Sequence, residues 1–221
     1  MRRDLVVIGC SAGCIQALGS TVFAGLPGGF PAAVCVVLHT SPNSPRVMAL
    51  MLGRNTPLTV KYAENHEPVR IGHVYIAPPD HHLLVEDGLL ALDSGPRENR
   101  YRPAVDALFR TAAAAYRNRT VGVVLSGNLD DGTRGLMAIK RAGGLAVVQD
   151  PADALYPGMP QTALENVSVD YVVPLSEVPS LLVRLTEEIL PDLPGGEAVS
   201  TNLPGETSGL HTRSVARNLE R

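Results

Sequence analysis

The chain has no tryptophan, and its 221 residues include only three phenylalanines and six tyrosines, so large aromatic clusters cannot organise the interior. Its three cysteines, Cys10, Cys14 and Cys35, are an odd number and lie in or beside apolar stretches. That argues against a disulfide framework, and Cys10-x-x-x-Cys14 lacks the second pair a zinc site needs; small buried side chains are the expected role. No apolar run reaches the roughly 18 residues of a membrane-spanning helix. Neither sign of charge dominates: 19 Lys and Arg face 22 Asp and Glu, a net charge of -3. Nucleic acid and anionic lipid are therefore not expected as partners, and no membrane insertion is expected. The first strand begins by Asp4 or Leu5, which leaves no room for a leader peptide and makes the cytoplasm the expected compartment.

What is present is aliphatic. Hydrophobic residues make up 45% of the chain, the signature of an Ala/Val/Leu-rich core, and the length suits one core with a tail. Short apolar runs at 5–8, 32–38, 58–63, 74–77, 121–125, 145–149 and 171–173 read as strands, several of them buried on both faces. Between them, helices are expected over 14–18, 46–52, 103–116, 136–142, 160–165 and 176–190, the last capped by Ser176. The runs 82–85 and 89–92 flank Asp87-Gly88, a hairpin signal. The expected fold class is thus α/β: a doubly wound, mostly parallel sheet with an antiparallel edge hairpin, in a single domain over 1–190. From 191 to 221 the composition turns to Gly, Pro, Ser, Thr and Asn without periodicity, and a disordered tail is expected.

Polar residues gather where strands end. Gly9-Cys10-Ser11-Ala12-Gly13 follows the first strand and precedes a helix, the layout of a nucleophile elbow; a phosphate-cradling loop or a plain turn would also use these glycines. His39 closes the second strand, and Asp130-Asp131-Gly132 follows the fifth long apolar run. If these strands are parallel, their carboxyl ends share one edge of the sheet. A serine hydroxyl needs a neighbouring base, and an imidazole in that role needs a carboxylate to fix its tautomer. Ser11, His39 and either aspartate supply those parts, with backbone amides of Ala12 and Asn128 as oxyanion donors. The aspartates could instead cap the helix that follows. A nucleotide-binding reading is weaker, because the acidic residue expected after the second strand is His39.

A series of motifs, in order, resembles the protein-glutamate methylesterases of bacterial chemotaxis. They are Val7-Ile8-Gly9-Cys10-Ser11-Ala12-Gly13, Val37-Leu38-His39, Gly72-His73-Val74-Tyr75-Ile76-Ala77-Pro78-Pro79-Asp80-His81-His82, Arg102-Pro103-Ala104-Val105-Asp106-Ala107-Leu108-Phe109, Leu125-Ser126-Gly127-Asn128-Leu129-Asp130-Asp131-Gly132, Gln149-Asp150-Pro151 and Met159-Pro160. The resemblance covers about residues 4–190. It implies a catalytic domain with Ser11 as nucleophile, His39 as base and Asp131 as orienter. The implied reaction is hydrolysis of glutamate γ-methyl esters on the cytoplasmic helices of chemoreceptors, with receptor glutamine deamidation in some members and no metal or cofactor. The chain departs from the family at Ala12, often Thr; at Cys14, usually Gly; and at Asn128, where the family has a Met beside the oxyanion. Well-known members also carry an amino-terminal receiver domain. This chain resembles a free-standing catalytic domain, with a separate response regulator or sensor kinase as the expected controlling partner.

Arg97, Arg100 and Arg102 form a basic loop, read either as a solvated surface or as a contact for an acidic receptor helix. Arg100 and Arg102, with His82 bracing the rim through backbone bonds, are the candidate substrate-binding residues. His66, His73, His81 and His82 with Asp80 lack metal-ligand spacing, so no metal site is expected. The rival function, motivated by Cys14 and Asn128, is a catalytically impaired scaffold or binding protein of a chemosensory pathway.

Overall fold

The first strand, β1 (Leu5–Cys10), is the centre of the molecule, and a helix α1 (Cys14–Ala17) leaves it through Gly13 at φ 78°. The computed structural model describes residues 1–191; the tail expected from 191 onward otherwise lies outside the described residues. From β1 the chain builds outward through β2 (Ala33–Leu38), α2 (Met48–Leu52), β3 (Thr59–Tyr62) and β4 (His73–Ile76). After the hairpin β5 (His82–Glu86) and β6 (Leu89–Asp93), α3 (Val105–Tyr116) carries it back across the sheet. The other half follows as β7 (Thr120–Val124), α4 (Thr133–Arg141), β8 (Leu145–Gln149), α5 (Gly158–Asn166), β9 (Tyr171–Val173) and α6 (Val178–Glu187).

The sheet has seven strands in the order β3-β4-β2-β1-β7-β8-β9, and every pairing is parallel. The order in which strands are added reverses between β1 and β7, the kind of switch point where open α/β sheets form a crevice. Both faces of the sheet are covered, which is why β1, β2 and β7 read as unbroken apolar runs. Val6, Ile8 and Cys10 pack with Leu18, Phe23 and Leu182 on one face. Leu5 and Val7 pack with Val105, Leu108 and Phe109 on the other. Each fully buried aliphatic side chain of this kind contributes about 1.5–3 kcal/mol.

Three local features differ from the sequence expectation. The hairpin stands apart from the main sheet as its own two-stranded sheet. Its Leu83, Val85 and Leu90 are buried in the core layer of α3, and Val85 N–H donates to Thr111 Oγ1 at 3.1 Å, so a helix rather than a sheet margin receives it. The first helix runs on beyond residue 18 in wider π turns over Leu18–Phe23. Ser176 is not a cap: it lies in a 3-10 turn (Leu175–Glu177), and α6 begins at Val178 with Pro179 in its first turn. Proline supplies a start signal without a side-chain bond, since its absent N–H would have gone unpaired there.

Candidate active site

Register sets the site. Cys10 lies opposite Leu38 in the β1–β2 pairing, so Ser11 and His39 leave adjacent strands side by side, and His39 N–H donates to Cys10 O at 3.3 Å. On the other flank of β1, Ser11 N–H donates to Ser126 O at 3.0 Å. Gly127 follows, and a Cβ built there would fall 2.9 Å from Ser11 Cβ and 2.2 Å from Met159 Sδ. Only glycine lets that loop approach the serine so closely. Ser11, Ala12, His39, Thr40, Arg100 and Tyr101 are among the residues lining a cleft of about 810 Å³ at this strand-end edge.

Behind the cleft lies a buried ionisable pair. His39 Nε2 is 2.6 Å from Asp131 Oδ2, and the two side chains are 4% and 0% exposed. Asp131 Oδ2 also accepts the Val105 amide (2.8 Å), while Oδ1 accepts Asp106 N–H (3.0 Å) and Asn99 Nδ2 (2.8 Å). Burial by itself would raise the Asp131 pKa; the donors, His39 first, outweigh it and hold the carboxyl below its ordinary value. An ionised carboxylate only accepts, so the proton between the two groups sits on His39 Nε2, and in the neutral ring the lone pair is on Nδ1. Nδ1 is buried and has no hydrogen-bond partner among the described residues. Ser11 and His39 both line the cleft, with no hydrogen bond between their side chains among the described residues.

Other predicted positions divide clearly. Asp130 is exposed, and the carboxylate facing His39 is that of Asp131. Ala12 lines the cleft; Asn128 is exposed, one residue beyond the close approach at Gly127. Arg100 and Arg97 are exposed at the cleft mouth, without an ion pair among the described residues. Arg102 borders the cleft too, but its guanidinium is committed: Nε and Nη2 donate to Asp80 Oδ1, and Nη1 to Ser94 O and Gly95 O. It fastens the loop and has little left for a substrate. His82 makes the backbone bonds expected of it, but at 2% exposed and absent from the cleft lining it is a brace and not a substrate contact. Its Nδ1 accepts Ala104 N–H at 3.2 Å, so the other nitrogen carries the proton and donates to Pro96 O at 3.0 Å. The ring ties both ends of the arginine loop together.

Three further residues have roles that the sequence reading did not assign. Asn99 bridges Asp131 and Asp106, donating to Asp106 Oδ2 at 2.7 Å. Tyr101 stacks on His39 with ring centroids 3.5 Å apart and planes 6° from parallel. Asp106 Oδ1 accepts the amides of Gly132 (3.0 Å) and Gly135 (2.7 Å) at the start of α4. Asn99 and Tyr101 carry no local signal, because their roles depend on partners elsewhere in the chain; Asp106 stands in the 102–109 motif, which does not say what it bonds.

A parallel, doubly wound α/β sheet with a serine and a buried His–Asp pair at its carboxyl edge defines the class, an α/β domain built like an enzyme. The family follows from comparison: the chain belongs to the CheB methylesterase family, whose model matches residues 6–182. A relative from Leptospira interrogans is 40% identical over 191 residues, 86% of this chain and 98% of the relative. The protein-glutamate methylesterase/protein-glutamine glutaminase of Thermotoga maritima is 38% identical over 185 residues, 82% of this chain and 54% of that protein. The chain thus spans about half the Thermotoga protein. The crystal structure of the Thermotoga maritima CheB methylesterase catalytic domain matches with a TM-score of 0.79 at 37% identity, covering 84% of this chain and 100% of that one.

Proposed function

We propose that this protein hydrolyses γ-methyl esters of glutamate on the cytoplasmic helices of chemoreceptors, and deamidates receptor glutamines by the same route. The observation that carries this reading is the buried His39–Asp131 pair beside Ser11 at the edge of the cleft. Ser11 Oγ attacks the ester carbonyl and passes its proton to His39 Nδ1, the ring nitrogen without a partner. Asp131 balances the imidazolium through Nε2. The oxyanion takes the backbone amides of Ala12 and Asn128. The imidazolium then protonates the departing methoxide, methanol leaves, and water activated by His39 frees the glutamate from Ser11.

Arg97 and Arg100 at the mouth suit a helix rich in carboxylates. Ile15 and Leu155, 40% and 72% exposed on the cleft lining, suit its apolar side. The setting is cytoplasmic, with a separate response regulator or sensor kinase as the controlling partner. Methanol release from membranes carrying methyl-labelled chemoreceptors tests the reading. Wild-type protein should release label and Ser11→Ala should not, while a fluorophosphonate probe labels only the wild type. Release by Ser11→Ala at the wild-type rate would overturn it.

A further inference from the structure

Glu98 and Tyr101 exchange backbone hydrogen bonds, Glu98 N–H to Tyr101 O at 3.1 Å and Tyr101 N–H to Glu98 O at 2.7 Å. The two residues between them have positive φ, Asn99 at 48° and Arg100 at 75°. This is the pattern of a type I′ turn, whose second central position ordinarily belongs to glycine. Arginine there is a strained choice, and the surroundings hold it in place. Glu98 accepts hydrogen bonds from both Arg110 terminal nitrogens at 2.8 and 2.9 Å, Arg102, the residue after the turn, donates to Asp80, and His82 bonds Pro96 and Ala104 on either side. Strain imposed so thoroughly beside a reacting centre points to a purpose there.

The side chains of this turn reach different parts of the site. Asn99 uses both amide hydrogens, one on Asp131 Oδ1 and one on Asp106 Oδ2. Tyr101 covers the face of the His39 ring. We propose that the turn 98–101 belongs to the catalytic machinery, with Asn99 and Tyr101 as positioning residues that fix Asp131 and His39 respectively. The proposal rests on the reading of Ser11, His39 and Asp131 as the hydrolytic set. With Asn99 present, each oxygen of Asp131 has two donors, so the carboxylate cannot swing away from the imidazole. With Tyr101 stacked, the imidazole cannot rotate about Cβ–Cγ without leaving the phenol face. That face also favours the ring when it turns cationic during attack. Asn99 is turned to the two carboxylates and Tyr101 lays its ring on His39, so the contribution is alignment of the groups that react.

The test measures kcat and KM for methanol release by wild type and by variants at residues 11, 99 and 101, with far-ultraviolet circular dichroism melts for folding. Tyr101→Phe keeps the stack and should stay within about twofold of wild type. Tyr101→Leu should lose at least about tenfold in kcat with KM nearly unchanged. Asn99→Ala should also lose kcat rather than KM. Asn99→Asp, the same size but without donors, should be worse than Asn99→Ala, whereas a space-filling role requires the opposite order. A kcat for Tyr101→Leu or Asn99→Ala within about twofold of wild type, or Asn99→Asp outperforming Asn99→Ala, overturns the proposal. Should Asn99→Asp not fold, Asn99→Ala and the Tyr101 pair still decide it. Activity in Ser11→Ala would instead sink the underlying reading, so the two failures are distinguishable.

Discussion

Asp106 and Asp131 cap each other's helices. Asp106, in the first turn of α3, accepts two amides at the start of α4, and Asp131, just before α4, accepts the first two amides of α3. The alternative reading of Asp130-Asp131 as a cap on the following helix is thereby altered: the Asp131 carboxylate caps α3, and α4 takes its carboxylate from Asp106 of α3.

Asp106→Ala should therefore damage both stability and turnover. It leaves two buried amides of α4 without acceptors, a loss of about 3 kcal/mol, and it frees one hydrogen of Asn99. Urea unfolding followed by circular dichroism measures this, since the chain has no tryptophan to report by fluorescence. Asp106→Asn keeps one acceptor oxygen and should lose less.

Gly9→Ala should disturb the carboxylate from inside the sheet. A Cβ at Gly9 would sit 2.2 Å from Val105 Cγ1, and the Val105 amide is one of the donors to Asp131. The expected outcome is a loss of about 1–3 kcal/mol and a drop in kcat. Gly29→Ala, where a Cβ meets nothing within 4 Å, is the matched control and should be neutral in both measurements.

Acid stability should carry the signature of Asp131. Its folded-state pKa is lowered, so its ionisation favours the fold above the ordinary value of about 3.9, and that contribution is lost as pH falls through the lower folded value. Asp106 acts oppositely: burial, only partly offset by its donors, raises its pKa, so stability is lost as pH rises from about 3.9 through the folded value. Urea melts of Asp131→Asn should thus show a flatter loss of stability below pH about 3.9 than urea melts of the wild type. An unchanged acid slope would contradict this.

Arg100→Gly should separate stability from recognition. Glycine relieves the left-handed backbone at residue 100, for a net gain of about 0.5–1 kcal/mol after its own entropy cost. The variant loses a cation at the cleft mouth, so KM for an acidic receptor substrate should rise and its dependence on salt should weaken. A higher melting temperature with unchanged KM would show that the cation does not meet the substrate.

The strands were legible in the sequence because both faces of the sheet are covered, which makes 32–38 an unbroken apolar run and 145–149 one up to Gln149, found nearly residue for residue as β2 and β8. The hairpin was legible from Asp87-Gly88, but alternation cannot say which layer receives it, and α3 does. Ser11, His39 and Asp131 were legible as strand-end residues in ordered motifs. Asn99 and Tyr101 were not, since their partners lie 32 residues ahead at Asp131 and far back at His39. Arg102 resembled a substrate contact only while Asp80 was a distant residue of another motif.

The pairing that leaves residues 11 and 39 as neighbours belongs to the hydrogen-bond lattice of the sheet. Such a lattice moves only in whole steps of about 3.3 Å, each of which turns every side chain to the opposite face. An insertion or deletion within either strand has no small setting: it must remove the hydroxyl from the imidazole entirely. Gradual adjustment is left to the opposite wall of loops, where one substitution can reshape what enters without altering how it is cut.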